Sequence, residues 1–196
     1  MEVIASTNKL AAERFWDVIH AGGIVAYPTD TLYGFGVDST NREAVDRLIT
    51  LKGRRGPFSV MVGSLELMTK YALISQPLHD KLSQQLPGPF TFILSVPKTS
   101  PITANVRDIK NKVGFRVPDH PFVRSAYKMN DLPVVTTSVN KAGQLPQQDP
   151  AAISVDFNGE IDLLIDDGAL PPSVGSTVVD GTLEIWQIVR QGAGVL

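Results

Sequence analysis

Ile24-Val25-Ala26-Tyr27-Pro28-Thr29-Asp30-Thr31-Leu32-Tyr33-Gly34-Phe35-Gly36 sets the frame for the whole chain. Its first four residues form an apolar run with the length and character of a short buried strand. Pro28 has no amide hydrogen for a sheet ladder, so the strand should end there. Two hydroxyls, one carboxylate and two glycines follow. Thr29 and Thr31 offer donors and acceptors, Asp30 offers charge, and Gly34 and Gly36 let backbone approach a ligand or another strand. A strand that opens into such residues reads as a site-building edge. An ordinary polar turn uses the same residue types, so this segment alone leaves both readings open.

Working outward, Thr7 or Asn8 is placed to cap a helix on which Leu10, Ala11, Phe15, Val18 and Ile19 recur at helical spacing, ended by Gly22-Gly23. A second helix should start after Thr40, with Glu43 placed for a capping box and Ala44, Val45, Leu48 and Leu51 on its apolar face. Gly53 favours its stop, which puts Lys52 and Arg54 at its C-terminal end. Strands are expected at 59–62, 90–96, 113–117, 134–138, 162–165, 177–179 and 185–189. Short helices are expected at 65–71, 77–86 and 121–129. Residues 97–112 and 141–150 read as mobile loops. Helices and strands interleave irregularly, which predicts a mixed α/β fold. There is no internal repeat.

The 196 residues suggest one domain, 1–196, with ample length for a core. A hydrophobic content of 43% and a charged content of 19% are those of a globular chain. The formal net charge of −2 gives no global basic field for nucleic acid or an anionic membrane. Two local basic groups exist in sequence, Lys52, Arg54 and Arg55, and Arg107, Lys110 and Lys112. Cysteine is absent, which excludes disulfides, thiolate nucleophiles and cysteine-ligated zinc. The N-terminus lacks a basic segment followed by an apolar core, and no apolar run is long enough to span a bilayer. A cytoplasmic location is the expectation.

Familiar catalytic signatures are missing. There is no G-x-x-x-x-G-K-[ST], no H-E-x-x-H and no G-x-S-x-G, and Gly34-Phe35-Gly36 lacks the third glycine of a dinucleotide fingerprint. His20, His79 and His120 lie far apart and read as surface or structural residues. A nucleotide, if bound, needs another device, and Lys52-Gly53-Arg54 offers one. Phosphate needs fixed positive charge, and the guanidinium fork matches its oxygens. A solvated helix end uses the same two residues to offset the macrodipole. Ser138-Val139-Asn140 closes the apolar strand Val134-Val135-Thr136-Thr137, where hydroxyl and amide at alternating positions can act together. A strand-to-turn cap reads identically. Arg116, inside Val113-Gly114-Phe115-Arg116-Val117-Pro118, must pair with an anion or face water. The anion could be a protein carboxylate such as Asp119 or a substrate carboxylate.

Taken in order, the 24–36 segment, Lys52-Gly53-Arg54, Leu86-Pro87-Gly88-Pro89-Phe90-Thr91, Val113–Pro118, Thr137-Ser138-Val139-Asn140-Lys141-Ala142-Gly143, Gly175-Ser176-Thr177-Val178-Val179-Asp180 and Val189-Arg190-Gln191-Gly192 resemble the YrdC-like threonylcarbamoyl-AMP synthase family. The likeness runs from about Phe15 to Gly192. Each motif is weak alone, and the register of all of them is what carries it. The resemblance implies a single-domain YrdC-like α/β fold, a twisted open mixed sheet with flanking helices. It implies an enzyme that makes L-threonylcarbamoyladenylate from L-threonine, bicarbonate and ATP with magnesium, releases pyrophosphate, and feeds a separate transferase that modifies tRNA. It assigns ATP phosphates to Lys52 and Arg54, which would neutralise charge in the transition state, and to Ser138 and Asn140. Arg190 and Lys112 fall at further nucleotide positions. Thr31, Arg116, Thr136 and Ser176 fall at threonine positions. Two departures stand out: the loop Arg55-Gly56-Pro57-Phe58 is shorter than usual and lacks the usual polar nucleotide contact, and Ser-Val-Asn replaces the common Ser-Ala-Asn. The chain also stops soon after Gly192, where longer members carry a further domain. The same resemblance leaves two alternatives. One is a double-stranded RNA-binding module without synthase activity. The other is carbamoyl transfer from carbamoyl phosphate, as in hydrogenase maturation proteins.

Overall fold

The computed structural model describes residues 1–196. Ten strands form one sheet: β1 (Glu2–Ala5), β2 (Val25–Tyr27), β3 (Gly34–Asp38), β4 (Ser59–Met61), β5 (Phe90–Ser95), β6 (Lys112–Arg116), β7 (Val134–Ser138), β8 (Leu163–Asp166), β9 (Thr177–Asp180) and β10 (Gln187–Arg190). Six helices flank it: α1 (Ala11–His20), α2 (Arg42–Lys52), α3 (Leu65–Thr69), α4 (Gln76–Leu82), α5 (Pro121–Ala126) and α6 (Pro150–Asp156). The order across the sheet is β1-β8-β2-β3-β7-β4-β6-β5-β9-β10. Pairing is parallel for β1/β8, β2/β8, β4/β6 and β5/β9 and antiparallel elsewhere. The expected mixed α/β architecture is therefore what the chain adopts. No helix is long and apolar enough to cross a membrane.

Period-two alternation divides the strands between two faces. One face carries Ile24, Ala26, Phe35, Val37, Val60, Phe92, Phe115, Val135 and Val179, and α2, α3, α4 and α6 close over it to make the larger core. The other carries Val25, Tyr27, Met61, Val134, Leu163 and Ile165, covered by α1 and α5. There Phe15 meets Trp16, Tyr27 and Phe122 edge-on at centroid distances of 5.0, 5.5 and 5.6 Å, the arrangement that aligns ring edge with ring face. This second core is smaller and reaches no further across the sheet than Met61 on β4. Along β4, β5, β6, β7 and β9 the same face continues as Ser59, Thr91, Gly114, Arg116, Thr136, Ser138, Ser176 and Val178.

Several elements differ from the sequence reading. Residues 34–38, for which the sequence reading named no element, form a strand. Gly36 permits it, because a Cβ there would lie 2.8 Å from Tyr27 Cε1 and 3.0 Å from Val134 Cγ1. Its close approach is to another strand's side chain. β1 and α6 carry no signal that periodicity could separate from loop. Leu10, not Thr7 or Asn8, precedes α1, while Asn8 Oδ1 accepts from the Leu10 amide at 2.9 Å and so closes the turn before it. Asn41 rather than Thr40 caps α2, accepting from the Ala44 amide at 3.1 Å. Thr40 Oγ1 instead donates to Asp38 Oδ1 at 2.7 Å. Gly53 does end α2, in the left-handed conformation at φ +66°.

Candidate functional site

Where the helices leave the second face bare, a cleft of about 290 Å³ opens over the sheet. Its floor follows from strand direction. β7 runs antiparallel to β3 and β4, so Thr136 and Ser138 lie beside Gly36, Gly34 and Ser59. β6 runs parallel to β4 and pairs Gly114 with Ser59. A Cβ on Gly114 would lie 2.8 Å from Thr91 Cγ2 and 3.3 Å from Ser59 Oγ, so the missing side chain keeps the floor low. Two positions on, Arg116 rises from the same face. The result is a floor of small hydroxyl residues from which the Arg116 guanidinium rises.

Most of the residues singled out in sequence meet here. Thr31, Arg54, Arg116, Thr136, Ser138, Ser176 and Arg190 all line the cleft. Thr31 is held by its own loop: Thr29 Oγ1 donates to the Leu32 carbonyl at 2.7 Å and accepts from the Thr31 and Leu32 amides at 3.2 Å. Arg116 Nη2 donates to Thr31 Oγ1 at 2.9 Å and to Asp30 Oδ1 at 2.8 Å. The protein carboxylate that answers Arg116 is thus Asp30 and not Asp119, which pairs with Arg124. Burial pulls the Arg116 guanidinium below its ordinary value and Asp30 opposes the pull. Ser176 Oγ and Thr91 Oγ1 share a buried hydrogen bond of 2.7 Å. Arg190 Nη2 donates to the Ser176 carbonyl at 2.8 Å, which ties β10 to the residue before β9.

Three of the residues do not line the cleft. Lys52 approaches from the opposite face of the sheet at the end of α2, 1% exposed and 5.8 Å from the Phe35 ring centroid. Its Nζ donates to the Ser138 carbonyl at 2.7 Å and to Asn140 Oδ1 at 2.9 Å. Ser138 Oγ donates to the same amide oxygen at 2.5 Å, so hydroxyl and amide do act together, with Lys52 fastening them from behind. Burial first, and the charge of Arg54 second, press the Lys52 ammonium down to about 8. Arg54 lines the cleft, with its guanidinium 5.0 Å from the Phe58 ring centroid. Lys112 lies at the far end of β6 from Arg116, where Nζ bonds Asp180 Oδ2 at 3.1 Å and Thr182 Oγ1 at 2.7 Å. A four-residue strand separation of roughly 13 Å keeps it from the floor.

Thr29 and Asp30 were read from sequence only as hydroxyl and charge at a site-building edge, and Ser59 and Thr91 were given no role. For Thr91 and Ser59 a signal existed, a lone hydroxyl alternating with apolar residues along a strand. Tyr33 had none: its hydroxyl donates to the Gly168 carbonyl at 2.9 Å and accepts from the Asp167 amide at 2.8 Å, pinning the segment that leads to Ser176. His120 caps α5, its Nδ1 accepting from the Phe122 amide at 3.2 Å while Nε2 lies 3.3 Å from Asp167.

A family profile described as Telomere recombination, for Sua5, YciO and YrdC proteins, matches residues 17–192. The chain belongs to the Sua5/YciO/YrdC family. Its sheet superimposes on that of Sua5 from P. abyssi, complexed with L-threonine, with a TM-score of 0.83 at 26% identity over 92% of this chain. The chain spans 54% of that Sua5, and 60% of a variant form of the same protein. A protein of Methanobacterium thermoautotrophicum is 34% identical, with a TM-score of 0.70 over 94% of this chain and 87% of its own length. E. coli YciO shares the fold, with a TM-score of 0.86 at 23% identity over 99% of this chain and 96% of its own.

Proposed function

We propose that the protein is an L-threonylcarbamoyladenylate synthase. The carrying observation is one cleft that gathers the groups for both halves of the reaction. Arg54, Arg190 and Ser138 supply cations and a hydroxyl, and Thr31, Thr136 and Ser176 line the same cleft as the buried Arg116 guanidinium, with Arg190 held on the Ser176 carbonyl. The threonine complex of P. abyssi Sua5 lends support to the second half. In this reading Arg116 pairs with the threonine carboxylate, while Thr31, Thr136 and Ser176 offer hydrogen bonds to its other polar groups. The amino group takes up bicarbonate as a carbamate with loss of water. A carbamate oxygen then attacks the α-phosphorus of ATP, the bond to the β-phosphate oxygen breaks, and pyrophosphate leaves with that electron pair.

Charge builds on phosphate oxygens in such a step, so fixed cations and positioning supply the catalysis. In this reading Arg54 and Arg190 meet the phosphates. Lys52 acts through the Ser138–Asn140 turn that it holds. Lys112, bound to Asp180, takes no part in this reading. Magnesium in this reading enters as part of the MgATP substrate, bound mainly by phosphate oxygens and water. The product would pass to a tRNA-modifying transferase, and the setting we propose is cytoplasmic.

The test is pyrophosphate release from ATP, magnesium and bicarbonate, with and without L-threonine. Threonine-dependent release that is lost in Arg116→Ala and Arg54→Ala supports the assignment. Absence of release from folded protein, together with thermal stabilisation by duplex RNA and not by ATP and threonine, refutes it in favour of an RNA-binding relative.

A further inference from the structure

The Asp30–Arg116 pair is unusual in being both buried and incomplete. The side chains are 10% and 9% exposed. Taking two charges from water is costly, and their attraction repays it only when the remaining lone pairs and hydrogens find partners. Here they do not. Arg116 Nη2 serves both Asp30 and Thr31, while Arg116 Nε and Asp30 Oδ2 are buried with no partner in the protein. One is a donor lacking an acceptor and the other an acceptor lacking a donor. Arg116 lines the cleft, and Asp30 sits between Thr29 and Thr31, which both line it. Buried polar groups are almost always satisfied, so such atoms point to an absent occupant.

The two orphaned atoms indicate what kind. Thr29, Thr31, Thr91, Thr136 and Ser176 around them are neutral, and the next cation is Arg190, held on the Ser176 carbonyl. A simple carboxylate on Arg116 would answer Nε and leave Asp30 Oδ2 still without its donor. A zwitterion brings a carboxylate to the guanidinium and an ammonium to Asp30, and so answers both. We propose that Asp30 and Arg116 form a zwitterion receptor in which Asp30 is the specificity-determining residue, selecting α-amino acids over carboxylates that lack the amino group. This rests on the amino-acid half of the function proposed above, and it adds Asp30 to the site.

The test compares equilibrium binding, by calorimetry on the full chain, of L-threonine and of 3-hydroxybutyrate, which keeps the carboxylate and hydroxyl of threonine but has no amine. The wild type should bind threonine about 10-fold or more tighter, the worth of one charge-assisted hydrogen bond. Asp30→Asn should lower threonine affinity while 3-hydroxybutyrate holds or improves, bringing the two within about threefold of each other. Asp30→Glu, which restores the charge, should recover part of the preference. A wild type that binds both ligands within about threefold overturns the proposal, and this comparison needs no variant to fold. Equal weakening of both ligands by Asp30→Asn also overturns it, because Asp30 would then only hold Arg116 in place. Failure of the wild type to bind either ligand removes the amino-acid half of the proposed function itself.

Discussion

Raising the pH through the titration of Lys52 should weaken nucleotide binding with a midpoint that belongs to one side chain. Burial and the charge of Arg54 bring this ammonium from 10.5 down to about 8. At about 1.36 kcal/mol per pKa unit the difference disfavours the charged form by roughly 3 kcal/mol. Lys52 is then about 90% charged near pH 7 and about 10% charged near pH 9. The neutral amine keeps a donor for the Ser138 carbonyl or Asn140, but its hydrogen bonds fall to about half their strength and the positive charge behind the turn is gone. If phosphate binding needs the charged form, the Kd for MgATP rises about 10-fold between pH 7 and pH 9. The nucleotide adds little of its own there, since phosphate monoesters lose their last proton near pH 6. Calorimetric titration with MgATP at half-unit intervals gives the profile. A flat profile, or a midpoint near 8 that persists in Lys52→Met, refutes the reasoning. Stability supplies a second reading with an independent sign. Because the folded-state pKa lies below that of the unfolded chain, the penalty on the charged form is complete below pH 8. It is relieved as pH rises toward about 10.4, so urea stability climbs across that window by at most roughly 3 kcal/mol. Lys52→Met should show no climb.

Arg116→Met removes one partner of a buried ion pair and leaves Asp30 uncompensated, so urea denaturation should report a loss of about 3–5 kcal/mol; a loss below about 1 kcal/mol would mean that the pair is well solvated. His120 has its pKa lowered chiefly by burial, against the pull of Asp167. The unfolded chain therefore binds the extra proton first, and stability should fall as pH drops below about 6.5. In His120→Asn that slope should flatten, and an unchanged slope would assign it to other groups. A Cβ on Gly192 would fall on the Ser176 carbonyl, the acceptor for Arg190. Gly192→Ala should consequently raise KM for ATP and threonine more than it lowers thermal stability, and unaltered kinetics would separate Ser176 from the reaction. Tyr33→Phe leaves the Asp167 amide and the Gly168 carbonyl without their partner, which should cost about 1–3 kcal/mol in urea.

What the sequence made legible were the features that one local rule decides. Pro28 ends β2 because it cannot donate, Gly53 ends α2 because it tolerates positive φ, and β7 runs over Val134–Ser138 as its β-branched pattern required. The motif residues were legible through the family resemblance, which their register carries across the chain. What stayed hidden depends on contacts between segments far apart in sequence. Whether Gly34 and Gly36 approach a ligand or another strand stays open until Tyr27 is seen to lie across Gly36. The partner of Arg116 was sought nearby at Asp119, yet it is Asp30, eighty-six positions away. Lys52 and Arg54 are two residues apart, yet Lys52 is buried on the Ser138–Asn140 turn while Arg54 lines the cleft, which no helix-end argument distinguishes.

The topology explains why a site forms at this place at all. A mixed order lets β7 run back between β3 and β4, and that brings the polar end of β7 against the glycine and serine starts of its neighbours. On the opposite face the same strands present Phe35, Val60, Phe115 and Val135 to the larger core. Each of these strands thus serves the core and the cleft with alternate residues. Phe115 locks β6 into the core on one side while Gly114 and Arg116 stand in the cleft on the other, so the guanidinium is positioned by packing that it does not touch. A substitution such as Phe115→Ala should cost about 3–5 kcal/mol through the cavity it leaves, and in the same step misplace Arg116. The separation of those effects is measurable: loss of stability with an unchanged affinity for L-threonine would show that the guanidinium is held by Asp30 and Thr31 alone, and not by the strand that carries it.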